Sequence, residues 1–460
     1  MTYLNNNSLL NSVLEAREER ASLRKTFAAK KILSLSLSLN IPGYPKSNPL
    51  LQQFFFDVKK ELETFLKAHG VLQKEDLSRY RKDAAGDFFI TGIDTPNLSA
   101  QKLKELTEIF ETTHPQARLI DVDIFSSEGI PVSSGKAKLC YFCNEHPAVF
   151  CMRKKLHDYK DIRQKIKQNV SKYLEEKRTK NIASQLASYA LRSLIYEVSL
   201  SPKPGLVDFY DSGIHRDMHF FTFIDSSAAL SNSFMKFATL GCNYTKPLSE
   251  ALPEIRKIGL RAEEIMFQTT GGINTQKGLI FLMGISLFSV AYVLKEQEPF
   301  TFSKFRKTVQ TICTGLVKKE LSANTAQTHG EKVFAKYGKR IGGGARYEAE
   351  SGFATIFDFA MPVLESQTDF LQNPQLLQQT LRKVLLTLMS ENNDTNILFR
   401  SDLETLKQLK NKSLQAIDSE EKYQELTEFC KKKKISPGGS ADLLAISLFL
   451  YFVKQNKDGF

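Results

Sequence analysis

The chain has 460 residues, of which 42% are hydrophobic, and a formal net charge of +12 at pH 7. This length predicts two or three domains with sizeable cores, and six scattered cysteines exclude a disulfide framework, so we expect a reduced, cytoplasmic setting. The positive charge predicts attraction to a polyanion, which could be nucleic acid, a nucleotide phosphate or an acidic protein.

Neither a membrane span nor an export signal is expected. The longest apolar run, Leu279 to Leu294, contains a glycine and two serines. It is shorter than the roughly 20 residues that a span needs, so it predicts a buried helix. Acidic side chains occur in the first twenty residues, where a signal peptide would carry its apolar core.

The N-terminal part alternates helical and extended patterns. Leucines at every second position from Leu33 to Leu39 predict a strand with one apolar face. Further strands are predicted at 85–93 and 117–125, and helices at 8–31, 50–69 and 99–111. This alternation predicts an α+β domain over residues 1–165.

The predicted strand at 117–125 carries an Asp-x-Asp pair. Residues two apart share a strand face, so Asp121 and Asp123 point the same way while Ile120, Val122 and Ile124 face the core. Paired carboxylates repel unless a cation lies between them, an arrangement that holds Mg²⁺ in nucleotidyl transfer. A polar outer face of an edge strand is the alternative, and both interpretations stay open.

A cysteine and histidine cluster follows. Cys140 and Cys143 are spaced as in structural zinc sites, and Cys151 and His157 could complete a ligand set. Buried, unligated thiols are the alternative. The pattern slightly favours them, because no glycine-bearing knuckle accompanies the cysteines.

The remainder of the chain reads as helical. Residues 166–181 are charged and predict a linker helix, and residues 182–460 predict a nearly all-α domain. Helices are expected at 182–198, 222–240, 251–268, 274–295, 300–321, 347–365, 376–391, 402–432 and 440–455.

Five polar, glycine-bearing segments interrupt these helices: 201–225, 270–278, 342–353, 393–400 and 435–442. A glycine inside ordered structure costs up to about 1 kcal/mol relative to alanine, so five such segments are unexpected in a protein that only needs to fold. We therefore expect them to converge on one site for a phosphorylated ligand.

The segments carry charges suited to such a ligand. Pro202 and Pro204 should hold Lys203 on a stiff turn beside a phosphate. Acidic and imidazole groups within the next residues suggest a hydrated Mg²⁺ or a general base, with a metal-free loop as the alternative. These groups are Asp208, Asp211, His215, Asp217 and His219.

The other segments are predicted to bind phosphate or metal as well. Gly271 and Gly272 open an apolar helix whose amides could bind an anion. Lys277, Arg346 and Arg400 add cations, Glu348, Glu350 and Asp394 add carboxylates, and Gly438 and Gly439 precede the last helix. For each segment alone, a helix-capping turn is an equally good interpretation.

The ordered motifs resemble those of the triphosphoribosyl-dephospho-CoA synthase family. They stand at Pro202–Asp208, Gly213–Met218, Thr270–Gly278, Gly343–Gly352 and Ser436–Leu444. Gln276 departs from the histidine expected in that pattern. The first domain is similar to the apo-citrate lyase phosphoribosyl-dephospho-CoA transferase family, in its Ser-Leu-Ser-Leu-Asn-Ile-Pro-Gly stretch, its Asp-x-Asp pair and its cysteines.

The resemblance implies two successive reactions. The second domain would join ATP to 3′-dephospho-CoA and release adenine, and a nucleotidyltransferase-like first domain would pass the product to a serine of the acyl carrier (gamma) subunit of citrate lyase and release pyrophosphate. The residues suit these reactions, with Asp121 and Asp123 binding Mg²⁺ in the first domain and Asp217 and Asp394 in the second. Catalytic carboxylates are expected among Asp208, Asp217, Glu348 and Glu350, and Lys203, Lys277, Arg346 and Arg400 would hold the triphosphate.

Two other functions are compatible with parts of the sequence. A small-molecule kinase could use Pro437–Ser440 as a phosphate loop, in which case ADP would be formed from ATP. An RNA-binding protein would explain the basic charge, but no interleaved aromatic and basic strip is evident. No nucleic acid or membrane partner is therefore expected.

Overall fold

The computed structural model describes residues 2–133, 135, 138–296, 299–321, 329–367 and 369–456. The chain falls into two compact units, Met1–Lys177 and Arg178–Phe460. Every strand among the described residues lies in the first unit.

The first unit contains a five-stranded antiparallel sheet in the order β2-β3-β1-β4-β5. Its strands are β1 (Ser34–Leu39), β2 (Gln73–Asp83), β3 (Gly86–Ile93), β4 (Ile120–Phe125) and β5 (Pro131–Val132). Its helices are α1 (Thr2–Ala29), α2 (Pro49–Ala68), α3 (Ala100–Thr113) and α4 (Ala148–Lys154). Helix α5 (Tyr159–Ser199) contains the boundary between the units.

Both faces of the sheet are partly covered. The alternating leucines of β1 place Leu35 and Leu37 in a core with Phe54 and Phe55 of α2. The opposite face buries Phe88 and Ile90 of β3 against Phe27 of α1. The predicted strands β1, β3 and β4 are confirmed. Strand β2 was not predicted, because its sequence QKEDLSRYRKD is highly charged and lies at the sheet edge, where none of its residues is fully buried.

The second unit is helical throughout its described residues. Its α-helices are α6 (Phe220–Asn243), α7 (Ala251–Thr269), α8 (Lys277–Lys295), α9 (Phe302–Ile312), α10 (Leu316–Leu321), α11 (His329–Gly342), α12 (Gly344–Glu350), α13 (Met361–Glu365), α14 (Pro374–Glu391), α15 (Thr395–Arg400), α16 (Leu403–Ala416), α17 (Glu420–Lys433) and α18 (Gly438–Gln455). A π-helix (Ile356–Ala360) precedes α13.

Helices α8 and α18 form the centre of the second core, and most of their side chains are buried. By length and composition α8 could cross a membrane, but 78% of its apolar window is buried inside the protein. Gly241 of α6 allows close packing, because a Cβ there would lie 2.3 Å from the carbonyl oxygen of Phe288. The apolar run at 279–294 is therefore a core helix, as its sequence predicts.

Several predicted helices are divided in the structure. Gly315, with φ +73°, separates α9 from α10, and Gly352, with φ +72°, follows α12. Left-handed backbone ends a right-handed helix, so each glycine stops the run that the apolar spacing predicts. Conversely, the predicted linker helix and the helix at 182–198 form the single helix α5.

Candidate functional site

All five polar segments line one cavity of about 800 Å³ in the second unit. The predicted site residues Lys203, Asp217, Lys277, Glu348, Asp394, Arg400, Gly438 and Gly439 are on its wall. Asp208, Gly271, Gly272, Arg346 and Glu350 are not among the described residues that line it. The five segments therefore converge on one cavity, as predicted. The predicted site residues of the second unit fall into two groups, those that line the cavity and those that do not.

Lys203 reaches the cavity wall but its ammonium group is already paired. Its side chain is 1% exposed, and Nζ lies 2.5 Å from Oε1 of Glu197 and donates to the Glu197 carbonyl oxygen at 2.9 Å. A buried charge is tolerated when it is paired in this way. Lys203 therefore anchors the turn to α5, and its role as a phosphate ligand stays a prediction.

Asp208 organises the turn that carries Lys203. Its carboxylate accepts backbone N–H groups of Lys203, Tyr210 and Asp211 at 2.7, 2.8 and 3.0 Å. It is 2% exposed. A carboxylate that is fully engaged with backbone donors is a turn stabiliser, and the structure does not place it among the groups facing the cavity.

The turn packs against the segment before α18. Gly205 has φ +72°, and a Cβ there would lie 2.4 Å from the carbonyl oxygen of Ile435. His215 Nε2 lies 3.2 Å from Ser436 Oγ. These contacts join the first and the last of the five segments.

The mouth of the cavity carries solvent-exposed charges. Asp217, Arg216 and Arg400 are exposed lining residues, and no described residue forms a hydrogen bond or ion pair with the side chain of Asp217 or Arg400. Burial and the Arg400 charge lower the pKa of His215, which favours the neutral imidazole. Asp211 instead pairs with Lys431 at 2.6 Å, and His219 caps α6.

Asp442 lines the cavity but is not among the site residues that the sequence predicts. Its Oδ2 lies 2.6 Å from the position that a Cβ of Gly278 would occupy, so any larger residue at 278 would displace the Asp442 carboxylate. Burial, with repulsion from Glu197 and Asp394, raises the pKa of Asp442 well above its ordinary value. A carboxylate with a raised pKa at a cavity wall is suited to general-base chemistry.

The Gln276 side chain takes part in a buried polar network beside Asp442's helix. Its Oε1 accepts from Ser226 Oγ at 2.9 Å, and its Nε2 lies 3.4 Å from Ser227 Oγ. Thr275 Oγ1 also donates to Ser226 at 2.8 Å. The network fixes the loop before α8, where Lys277 pairs with Glu263 at 2.9 Å.

Asp394 links the start of α15 to the start of α18. Oδ1 accepts the Asn396 N–H at 2.9 Å, and Oδ2 accepts the Ser440 N–H at 3.1 Å. Burial raises the pKa of this carboxyl to about 6, in spite of these backbone donors. The N–H groups of Gly439 and Ser440 thus face a carboxylate, which does not suit the phosphate loop of a kinase.

The two glutamates of the fourth motif have different surroundings. Glu348 lines the cavity, and Thr355 donates to it from both its backbone nitrogen and its hydroxyl, at 3.0 and 2.8 Å. Burial raises the pKa of Glu348. Glu350 instead accepts the Val317 N–H at 3.0 Å and pairs with Lys339 at 3.0 Å.

Arg346 faces a second cavity of about 400 Å³, whose wall includes Lys277, Gly278 and Ala345 of the larger one. Its Nε donates to Glu320 Oε2 at 2.7 Å, and the other oxygen of Glu320 pairs with Arg256. The two cavities therefore adjoin, and the second has a largely apolar wall with two guanidinium groups.

The first unit carries the Asp-x-Asp pair as predicted. Ile120, Val122 and Ile124 are at most 1% exposed. On the other face, Asp121 pairs with Lys138 at 2.6 Å, and Asp123 lies 4.0 Å from Arg24. Burial and the Asp121 charge raise the pKa of Asp123. The pair faces Ser36 and Ser38 across the ladder with β1. Cations already balance part of this negative charge.

Comparison with known proteins adds family information to this geometry. Residues 183–459 match the ATP:dephospho-CoA triphosphoribosyl transferase family, and residues 8–173 match the apo-citrate lyase phosphoribosyl-dephospho-CoA transferase family. A protein named CitXG from Haemophilus influenzae is 31% identical over 473 residues, which cover 97% of each chain.

Two further relatives agree with this division. CitXG of Leuconostoc mesenteroides is 30% identical over 98% of each chain. A probable 2-(5''-triphosphoribosyl)-3'-dephosphocoenzyme-A synthase of Photobacterium profundum is 37% identical over 59% of this chain and 88% of its own length. The chain therefore belongs to the ATP:dephospho-CoA triphosphoribosyl transferase family, joined to an apo-citrate lyase phosphoribosyl-dephospho-CoA transferase part, and it is a bifunctional transferase of citrate lyase prosthetic-group biosynthesis.

Proposed function

We propose that the second unit transfers the triphosphoribosyl group of ATP to 3′-dephospho-CoA with release of adenine, and that the first unit transfers the product to a serine of the citrate lyase acyl carrier subunit with release of pyrophosphate. The reaction proposed for the second unit is supported by one observation: five charged, glycine-bearing segments converge on one cavity of about 800 Å³. A nucleotide has the size and charge for such a cavity.

The two adjoining cavities suit two substrates. The larger one carries Arg216, Arg400 and Lys434 on its wall, cations suited to the triphosphate of ATP. The smaller one, with its apolar wall and Arg256, would take part of dephospho-CoA. The shared wall at Gly278 would then lie where the reacting groups meet.

In the first reaction, the 2′-hydroxyl oxygen of dephospho-CoA forms a bond to C1 of the ATP ribose, and the bond from C1 to adenine breaks. The hydroxyl proton goes to a base, and adenine leaves with the bonding electron pair and is protonated. We assign the base to Asp442, because it lines the larger cavity beside Gly278, where the two cavities adjoin, and no described residue forms a hydrogen bond or ion pair with its side chain. Glu348 would stabilise the positive charge that develops on the ribose.

The predicted aspartate ligands of both units also suit Mg²⁺, which prefers carboxylate oxygens. Asp217 in the second unit and Asp121 and Asp123 in the first would hold it, and the ion would neutralise phosphate charge. Both oxygens of Asp394, the other predicted ligand, already accept backbone N–H groups. In the first unit, Lys138 beside Asp121 would add a cation near the departing pyrophosphate.

The central test incubates the full-length protein with ATP and dephospho-CoA and follows the products by mass spectrometry. We expect free adenine and a conjugate that carries the triphosphoribosyl group. Addition of the apo carrier subunit should then release pyrophosphate and increase the carrier's mass by one phosphoribosyl-dephospho-CoA group. Formation of ADP without adenine would contradict the proposal and favour a kinase.

A further inference from the structure

Four side chains of the first unit form a cluster with zinc-ligand chemistry. The ligand atoms of Cys140, Cys143, Cys151 and His157 all lie within 4.8 Å of one another. Cys143 Sγ and Cys151 Sγ are 3.7 Å apart. Tetrahedral zinc with bonds of about 2.3 Å to sulfur separates two thiolates by about 3.8 Å, whereas a disulfide would bring them to about 2.0 Å. We propose that these four residues bind one structural Zn²⁺.

The first two ligands lie on a tight turn. The Asn144 N–H donates to the Cys140 carbonyl oxygen at 3.0 Å, and Asn144 has φ +58°. Asparagine tolerates left-handed backbone better than most residues, so Asn144 takes the place of the glycine that the sequence lacks. The missing glycine is therefore no argument for unligated thiols.

The other two ligands are brought back by α4. Cys151 lies on this helix, and the left-handed Lys155, with φ +48°, ends it. The Leu156 N–H then donates to the Cys151 carbonyl oxygen at 3.1 Å, and the chain turns so that His157 faces the three sulfurs. The turn and the short helix thus converge on one point from both sides.

The histidine ring supplies independent support. It packs on Phe142 with ring centroids 4.9 Å apart. Its Nε2 atom is buried and has no hydrogen-bond partner among the described residues. A buried ring nitrogen without a partner is costly, and metal ligation of the ring, with water or backbone at the second nitrogen, would remove that cost.

The site has a consequence for the transferase part. Because four protein ligands fill a tetrahedral zinc, the ion has no open position for a substrate and its role is structural. The segment that carries the four ligands, 140–157, starts two residues after Lys138. The Lys138 carbonyl oxygen accepts the Ala148 N–H at 2.9 Å, and Lys138 Nζ lies 2.6 Å from Asp121 Oδ1. Zinc therefore fixes the segment that holds Lys138 beside the Asp-x-Asp pair.

The metal content of the full-length protein tests the proposal. Protein purified under reducing conditions from zinc-supplemented cells should contain about one zinc per chain. Cys140→Ser and Cys151→Ser should lose this zinc, while the control Cys242→Ser, a cysteine of the second unit outside the cluster, should retain it. Cobalt exchanged into the wild-type site should show the absorption bands of a tetrahedral thiolate complex.

A second measurement covers variants that fail to fold. A chelator added to the wild-type protein should release zinc to a metal indicator, and the thiols of Cys140, Cys143 and Cys151 should become reactive to a thiol reagent in parallel. Wild-type protein that binds no zinc even after its addition, zinc that persists in Cys140→Ser, or thiol reactivity unchanged by the chelator would each overturn the proposal.

Discussion

The position of the Asp442 carboxylate depends on the absence of a side chain at Gly278 of α8. Its Oδ2 occupies the space beside Gly278 that any Cβ would fill. The sequence places the two residues 164 positions apart, so their relation could not be predicted from spacing. The sequence does show that both segments, 270–278 and 435–442, are rich in small and polar residues.

Replacement of the proposed base tests this residue. Asp442→Asn keeps the shape but cannot accept the hydroxyl proton, so we expect adenine release to fall by roughly 10²- to 10⁴-fold. Rates at saturating ATP and dephospho-CoA measure the effect. Asp418→Asn, at an exposed position outside the cavity, is the control and should keep the wild-type rate. A rate for Asp442→Asn within a few-fold of the control would contradict the assignment.

Asp394 should make stability depend on pH. Its pKa is raised from 3.8 to about 6 in the folded state, so the folded protein binds more protons than the unfolded chain between these values. The contribution of Asp394 therefore lowers stability as pH rises through this window, by roughly 3 kcal/mol.

Urea unfolding of the wild type and of Asp394→Asn at several pH values isolates this contribution. The wild type should lose stability relative to the variant between about pH 4 and pH 6 and change little above about pH 7. A difference between the two proteins that stays constant across this range would show that the Asp394 pKa is not raised.

At the scale of elements, the turn at 201–213 is held by close packing. A methyl group on Gly205 would meet the Ile435 carbonyl oxygen at 2.4 Å, whereas one on Gly271 would meet no atom within 4 Å. Both glycines have positive φ, +72° and +67°. The pair therefore separates backbone strain from steric overlap.

Gly271→Ala should destabilise the protein by about 1–2 kcal/mol from left-handed backbone alone. Gly205→Ala adds overlap with backbone, which costs a further 1–3 kcal/mol or so. Urea unfolding of the two variants measures the difference. Equal destabilisation would mean that the contact between the turn and Ile435 is looser than the structure shows.

The helices and strands also show which elements a sequence pattern can predict. Periodicity located β1, β4 and α8, because each buries one face or its whole surface. It did not locate β2, because the charged residues of this edge strand are held by backbone hydrogen bonds to β3. It also did not locate the helix break at Gly315. The convergence of the polar segments was predictable from composition. The pairing of Lys203 with Glu197 was not, because it depends on how the turn returns to α5.

At the scale of the whole molecule, two sets of carboxylates in two units should serve two reactions. Asp121 and Asp123 lie in the first unit and the cavity residues in the second. The division predicts that each activity can be lost alone.

Asp121→Ala should abolish transfer to the carrier and leave adenine release unchanged, since it removes a charge from the first unit only. Pyrophosphate release in the presence of apo carrier, measured beside adenine release, checks both. Glu75→Ala, at an exposed position on β2, is the control and should keep both activities. Simultaneous loss of both activities in Asp121→Ala would contradict separate sites.

The turn around Asp208 has one more consequence. Its carboxylate binds the backbone five residues before it and three residues after it, while Gly205 rests on Ile435. An amino acid inserted between Lys203 and Asp211 would break these bonds together, so homologous chains should keep this stretch at constant length and accommodate insertions and deletions elsewhere.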